Sequence, residues 1–363
     1  MSGAIGSGNL GNYGLLGQLI ADNATVHTQL DTLTTQASSG LVSNTYAGLG
    51  NAASIALDLN PQITRLQTWQ SNIDTATGRM GVTQTALTRL QSIASTWVAN
   101  TNNLNGLNPP EVDTLAAQAR TALQEVAGLL NTQDGSVYVF AGQDSANPPV
   151  PNPDQITTSP FFTQVQSAVQ QLSTLGASGT AASTLATAQS NDPATSPFSS
   201  YMSQSAANLA APTIQIGINQ TVVIGLFASS NEFVQSQGSS TTLSYTRDLM
   251  RALATIGSLT STQVNDPNFA GLIGDTRTSL TNAVTAMASE AGVLGNTQAN
   301  LTATQARLSE TQTALTTQVG TAQDVDMAKT LSKLSAVQTQ LQASYQIIAS
   351  VNGLSLVKFL PAA

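Results

Sequence analysis

The sequence predicts a mainly α fold: a long antiparallel helical coiled-coil bundle made from both chain ends, with a small inserted α+β module between them. Three observations predict it. Both ends carry apolar residues at alternating steps of three and four, the period of a seam along a long helix. The middle breaks that period with β-branched and aromatic runs and a cluster of prolines. Of the 363 residues, 41% are hydrophobic but only 8% are charged and 4% aromatic. A core is therefore possible, while most of the surface must be neutral polar groups.

The elements follow in chain order. Residues 1 to about 12 are rich in Gly, Ser and Asn and read as a mobile leader. Leu16, Leu19, Asn23, Val26, Leu30, Leu33 and Ala37 then predict a helix over 13–38, stopped by Ser38, Ser39 and Gly40, where glycine can adopt the left-handed cap. An irregular stretch to about Asn60 leads to Pro61, which suits the first turn of the next helix. That helix carries Leu66, Trp69, Ile73, Ala76, Met80, Thr83, Leu87, Leu90 and Ala94, and ends at the Asn, Gly and Pro cluster 102–110. A third helix, about 111–131, has Val112, Leu115, Ala119, Val126 and Leu130 on its apolar side.

The pattern changes at Asp134-Gly135. Ser136 to Phe140 reads as a strand after that turn, and prolines at 148, 149, 151 and 153 read as a loop. A short helix is expected over 162–175, followed by a Ser, Ala and Thr tract. Ile214, Ile216 and Ile218 fall on one strand face, with Asn219-Gln220 as the turn of a hairpin. Helical pattern resumes at about Ser240. Leu280, Val284, Met287, Ala291, Leu294, Gln298, Leu301, Gln305, Leu308, Gln312, Leu315 and Val319 form a second long seam. Its three glutamines are polar residues of the kind that lower stability but fix register.

Composition narrows the function. A net charge of −8 with 11 Lys plus Arg opposes nucleic acid, whose phosphates need a basic surface, and opposes acidic membranes for the same reason. The absence of cysteine excludes disulfides and thiolate metal sites. No apolar run approaches the roughly 18 to 20 residues of a membrane span. No basic residue precedes Arg65, so the positive segment of a cleavable secretory signal is missing. No cofactor or metal is expected. His27, the single histidine, has no cysteine or second histidine with which to hold zinc and reads as a packing or surface residue. Gly6-Ser7-Gly8 lacks the strand and helix of a phosphate loop. Asp324 and Asp326 read first as acidic residues at a helix start rather than as a catalytic pair, and the 135–240 segment has too few acids and bases to suggest an enzyme.

The C-terminal run Asp324-Val325-Asp326-Met327-Ala328, then Leu331, Leu334, Thr339, Leu341, Gln342, Ala343, Ser344, and finally Leu354 to Leu360, resembles the terminal segment of bacterial flagellins. Ser38-Ser39-Gly40-Leu41 with Ala47-Gly48-Leu49 is similar to that family's N-terminal signature, with Thr45 and Tyr46 where an acidic pair is usual. Within the family, Asp134 to Gly142 resembles the hook-filament junction member (hook-associated protein 3), whose third helix is followed by a strand ending in Phe140-Ala141-Gly142. The C-terminal run resembles filament flagellin equally well.

The resemblance implies a structural subunit of the extracellular flagellum that assembles with copies of itself and with neighbouring axial proteins. It also implies export, unfolded, through the flagellar type III apparatus with an export chaperone. The segments become an inner assembly helix at 1–42, a helical rod at 43–134, an outward-facing module at 135–240, a second rod at 241–320 and a second inner helix at 321–363. Candidate self-assembly residues are Leu16, Leu19, Val26, Leu30, Leu33, Leu331, Leu334, Leu341, Tyr345, Ile348, Leu354 and Leu356, because a helix that is apolar on one face stays incomplete until something covers it. The family motif residues are Phe140, Ala141, Gly142, Asp324 and Asp326. The segment that the innate flagellin receptor binds in the family corresponds to Leu87, Arg89, Leu90 and Ile93, with Gln118 where a glutamate is usual. A coiled-coil adhesin or phage tail component is the alternative outside the family.

Overall fold

The structure is a computed structural model that describes residues 10–104, 106 and 108–354. Eight α-helices dominate the described residues: α1 (Leu10–Ser39), α2 (Ala53–Leu104), α3 (Pro109–Leu130), α4 (Pro160–Gln170), α5 (Leu172–Gln189), α6 (Tyr245–Gly257), α7 (Phe269–Gln323) and α8 (Met327–Leu354). Two antiparallel hairpins supply the strands, β1 (Gln133–Asp134) with β2 (Val137–Tyr138) and β3 (Thr213–Gly217) with β4 (Gln220–Val223). The mainly α expectation is met. The chain forms two compact units, one from residues up to Leu66 together with those from Glu310 on, the other from Gln67 to Ser309.

In the first unit, α1 and α8 pack against each other. Their direction follows from the backbone where α1 ends and α8 begins. The Val42 N–H donates to Gln323 O (2.7 Å), the Val325 N–H donates to Gly40 O (2.9 Å), and Leu41 pairs with Asp324 in an antiparallel bridge. The exit of α1 thus meets the entry of α8, so the helices run antiparallel. Gly40 makes the turn with φ of 74°, as its helix-stop position implied, and its N–H donates to Gln36 O.

Two boundaries differ from expectation here. Tyr46–Ala52 is a 3-10 helix, and α2 already starts at Ala53, so Pro61 lies inside the helix. The ring of Pro61 is exposed. The helix starts earlier because it has an apolar anchor to bury before the proline, Ala56, which is fully buried.

In the second unit, α2 and α7 are antiparallel partners in fixed register. The Gln305 side-chain amide donates to the Asp74 carboxylate (2.7 Å), and Arg277 donates to the Asn102 carboxamide oxygen (3.0 Å). The two contacts are the same number of residues apart on each helix, as antiparallel helices of equal rise require. Along the α7 seam, Leu280, Met287, Leu294 and Leu301 are buried, while Val284, Ala291, Gln298, Gln305 and Leu308 are half-buried. The seam glutamine Gln305 therefore sits at a helix interface and uses its amide to set register.

The main core joins α2, α3, α4, α6 and α7 with the loop residues Val139, Phe140, Val150, Leu226 and Phe227. The helix α3 starts where Pro109 and Glu111 favour it: the Glu111 carboxylate accepts the Asn108 N–H at 2.8 Å. At its other end the Asn131 carboxamide makes two hydrogen bonds to the backbone of Val150, pinning the proline loop. The β3–β4 hairpin covers a second cluster of Ile73, Ala76, Met80, Leu294 and Leu301 with Ile214, Ile216 and Val222.

Three central readings are corrected. The strand expected over 136–140 is only Val137–Tyr138, because Gly135 (φ 62°) turns the chain straight back onto Gln133–Asp134. Ile218 does not share the buried face of Ile214 and Ile216; it is 69% exposed at the hairpin tip, with Asn219 at φ 56°, and Gln220 already belongs to β4. The Ser, Ala and Thr tract is the helix α5, kinked at Gly176 (φ 72°).

Several charges are buried in this unit. The Glu290 carboxylate accepts the backbone N–H groups of Glu232, Phe233 and Val234, with one oxygen 3.0 Å from the Glu232 nitrogen and the other 2.8 Å from that of Val234. Burial nevertheless holds its carboxyl above the usual range. Glu232 is raised too, by burial and then by the nearby Glu290, and Asp248 is raised by burial despite its bonds to Thr241 and Thr242. Arg251 pairs with Asp275 at 2.5 Å.

Candidate functional site

The α1–α8 pair is where the sequence concentrates its assembly candidates. Their buried seam alternates by three and four on both helices: Asn23, Val26, Leu30, Leu33 and Ala37 on α1, and Thr330, Leu334, Val337, Leu341, Ser344 and Ile348 on α8. Val26 and Thr330 are buried and the others half-buried. A two-helix layer buries one face of each helix and leaves the rest to solvent or to a neighbour.

The candidates therefore separate. Val26, Leu30, Leu33, Leu334, Leu341 and Ile348 lie in the seam, whereas Leu331 (51% exposed) and Tyr345 (48%) lie outside it. The side chains of Leu16, Leu19 and Leu354, and all of Leu356, lie outside the described residues. Sequence reasoning passed over Val337 in the seam and the exposed Ile20 and Ile347. The step from Leu334 to Val337 to Leu341 was the available signal for Val337. Ile20 and Ile347 fall between seam positions and leave no periodic trace.

One polar contact ties the pair partway along its length, and the Leu41–Asp324 bridge closes its base. His27 Nε2 lies 2.7 Å from the Tyr345 hydroxyl, with the rings edge to face. At the base, Asp326 caps α8: its carboxylate accepts the Lys329 N–H at 3.0 Å and its carbonyl accepts the Thr330 N–H. Asp324 stands in the bridge with Leu41. The two aspartates are thus structural at the α7–α8 break. An open groove of about 680 Å3 follows the pair, lined by Thr25, Thr28, Thr32, Leu33, Lys333 and Val337 among others.

Comparison with known families bears on this arrangement. Residues 18–145 match the bacterial flagellin N-terminal helical region, and residues 278–360 match the bacterial flagellin C-terminal helical region. The chain belongs to the bacterial flagellin family. Comparison with curated proteins gives no significant match. As a flagellin-family protein it is a structural subunit of the flagellum, an extracellular polymer, and the family's role is structural rather than enzymatic. Among the described residues, no helix is long and apolar enough to cross a membrane.

In this flagellin-family chain the Phe140-Ala141-Gly142 segment lies in the interior. Phe140 is fully buried, Ala141 bridges to Phe227, and the Ala228 N–H donates to Phe140 O at 2.8 Å. Gly142 has φ of 58°, and a Cβ there would come within 2.6 Å of the Phe227 ring. The motif thus meets a backbone requirement and a packing requirement together. Of the receptor-segment positions, Leu87, Leu90 and Ile93 are buried, while Arg89 is exposed and forms an ion pair with Glu125 at 2.6 Å.

Proposed function

We propose that this member of the flagellin family is an axial subunit of the flagellum that acts at the junction between hook and filament. The observation that carries an assembly role is the unequal coverage of the terminal pair: α1 and α8 bury one seam against each other yet keep Ile20, Leu331 and Ile347 on the outside. Burial of each such side chain contributes about 1.5–3 kcal/mol, and a neighbouring subunit offering the same surfaces would provide it. Contacts that do not close on themselves generate a helical tube. In this reading, segments 1–42 and 321–363 form the inner assembly core, 43–134 and 241–320 the rod, and 135–240 the outward-facing module. Leu16, Leu19, Leu354 and Leu356 extend the assembly surface.

The junction assignment rests on the Asp134 to Gly142 segment, and the subunit's partners are then copies of itself and the neighbouring axial proteins. Export is through the flagellar type III apparatus with a chaperone, the reading that best suits a chain without cysteine. No catalytic or cofactor role is assigned. Immunogold electron microscopy of whole cells, with antibody against residues 135–240, tests the location. Gold confined to a collar between hook and filament is the expected result. Gold along the whole filament would make the protein the filament flagellin, and absence from the flagellum would remove the flagellar assignment.

A further inference from the structure

A cleft of about 210 Å3 opens between the end of α5, the 229–235 loop and the start of α6. At its wall lies Arg247, 7% exposed. Its Nε donates to Ser229 O (2.7 Å), Nη1 to Ala188 O (2.8 Å) and Ser190 O (3.2 Å), and Nη2 to the Asn191 carboxamide oxygen (2.6 Å), with Phe198 stacked beneath at 5.1 Å. These four bonds use four of the five N–H groups of a guanidinium and leave one on Nη2. All the partners are neutral. Among the described residues no carboxylate lines the cleft, and none forms an ion pair with Arg247. The carbonyls at the end of α5 supply a partial negative charge of about half an electron, so the buried cation is only partly balanced. A buried charge without a counterion is costly, and burial accordingly lowers the pKa of Arg247 to about 10.

The rest of the lining is specific in kind. The exposed carboxamides of Gln189, Gln204 and Gln235 take no protein partner among the described residues, and Ser230 also lines the cleft. A carboxamide offers both a donor and an acceptor, the pairing that adjacent ring hydroxyls require. On the rim, Leu243 is 52% exposed with φ of 70°, a left-handed conformation that costs a leucine roughly 1–3 kcal/mol. It is held there by the Thr241 hydroxyl, which accepts its N–H, while Thr241 and Thr242 are in turn anchored on Asp248.

We propose that this cleft binds one acidic sugar residue, whose carboxylate pairs with the Arg247 guanidinium and whose hydroxyls are read by the surrounding glutamines. A single pyranose acid suits the cleft's volume, and a neutral sugar would leave the guanidinium uncompensated. The site lies within the second unit and is independent of assembly.

The test is isothermal titration calorimetry on the full chain with glucuronate, glucose and acetate. Glucuronate is expected to bind one to one with a dissociation constant of about 1 mM or tighter, and glucose and acetate at least about tenfold more weakly. Arg247→Gln should abolish binding. Because a buried arginine variant can fail to fold, Gln204→Leu at the exposed lip serves as the second variant and should weaken glucuronate by about threefold or more with the fold intact. No heat with glucuronate up to about 10 mM, acetate binding as tightly as glucuronate, unchanged binding in Gln204→Leu, or binding that survives in folded Arg247→Gln would each overturn the proposal.

Discussion

The backbone of Leu41 pairs antiparallel with that of Asp324, joining the end of α1 to the start of α8. Gly40 and Val42 flank this bridge with hydrogen bonds to Val325 and Gln323. Two signature segments far apart in sequence thereby form one joint, which fixes where the terminal helices begin to run beside each other. Their seam and their outer face then have different jobs, and the following predictions separate them.

Leu341→Asp places a charge in the α1–α8 seam, where Leu341 is half-buried. The lost burial costs about 1.5–3 kcal/mol and the charge adds to it, so the pair should open and circular dichroism should show lost helix. Leu331→Asp, on the exposed side, should leave helix content unchanged and block only self-association in sedimentation. Equal loss of helix in both variants would contradict the division into seam and outer face.

Gly142→Ala and Gly135→Ala compare two glycines of positive φ. At Gly135 a Cβ meets nothing within 4 Å, whereas at Gly142 it meets the Phe227 ring at 2.6 Å. Gly135→Ala should cost about 1 kcal/mol, the left-handed penalty alone. Gly142→Ala should cost about 2–4 kcal/mol, because strain and overpacking add. Urea unfolding of the two variants measures the difference.

The buried carboxylates give an unusual pH dependence. Glu290, Glu232 and Asp248 all have folded-state values raised above their ordinary ones. For such groups the stabilising contribution is fully present below the unfolded value and is lost as pH rises through the folded value. Stability in urea should therefore increase as pH falls from neutrality toward the ordinary carboxylate range. Replacing Glu290 by Gln should flatten that slope. It should also lower stability at pH 7 by about 1–3 kcal/mol, since the new NH2 group opposes one of the three N–H donors around it.

Asp326→Ala removes the acceptor of the Lys329 N–H at the start of α8. The cap is worth about 1 kcal/mol. Faster hydrogen exchange should appear in the first turn of α8 and leave the second unit unchanged.

Periodicity made the helices legible from sequence, because a residue repeated at three and four must share a face wherever the helix goes. It therefore determined the mainly α class and the α7 seam from Leu280 to Val319, while the stop at Gly40 was legible from the glycine itself and the family from the motifs of the two terminal segments, which lie in the matched regions. Partners were decided only in three dimensions. Periodicity showed that Leu334 and Leu331 are apolar; the packing of α8 on α1 decided that the first faces inward and the second outward. The short β2, the outward Ile218 and the helical Ser, Ala and Thr tract depended on what each segment could pack against, and weak local propensity cannot encode that. Arg247 carries no signal in sequence at all. Its burial among the carbonyls of Ala188, Ser190 and Ser229 exists because folding brings the end of α5 and a distant loop to one side chain, and only tertiary structure can remove water from a charge.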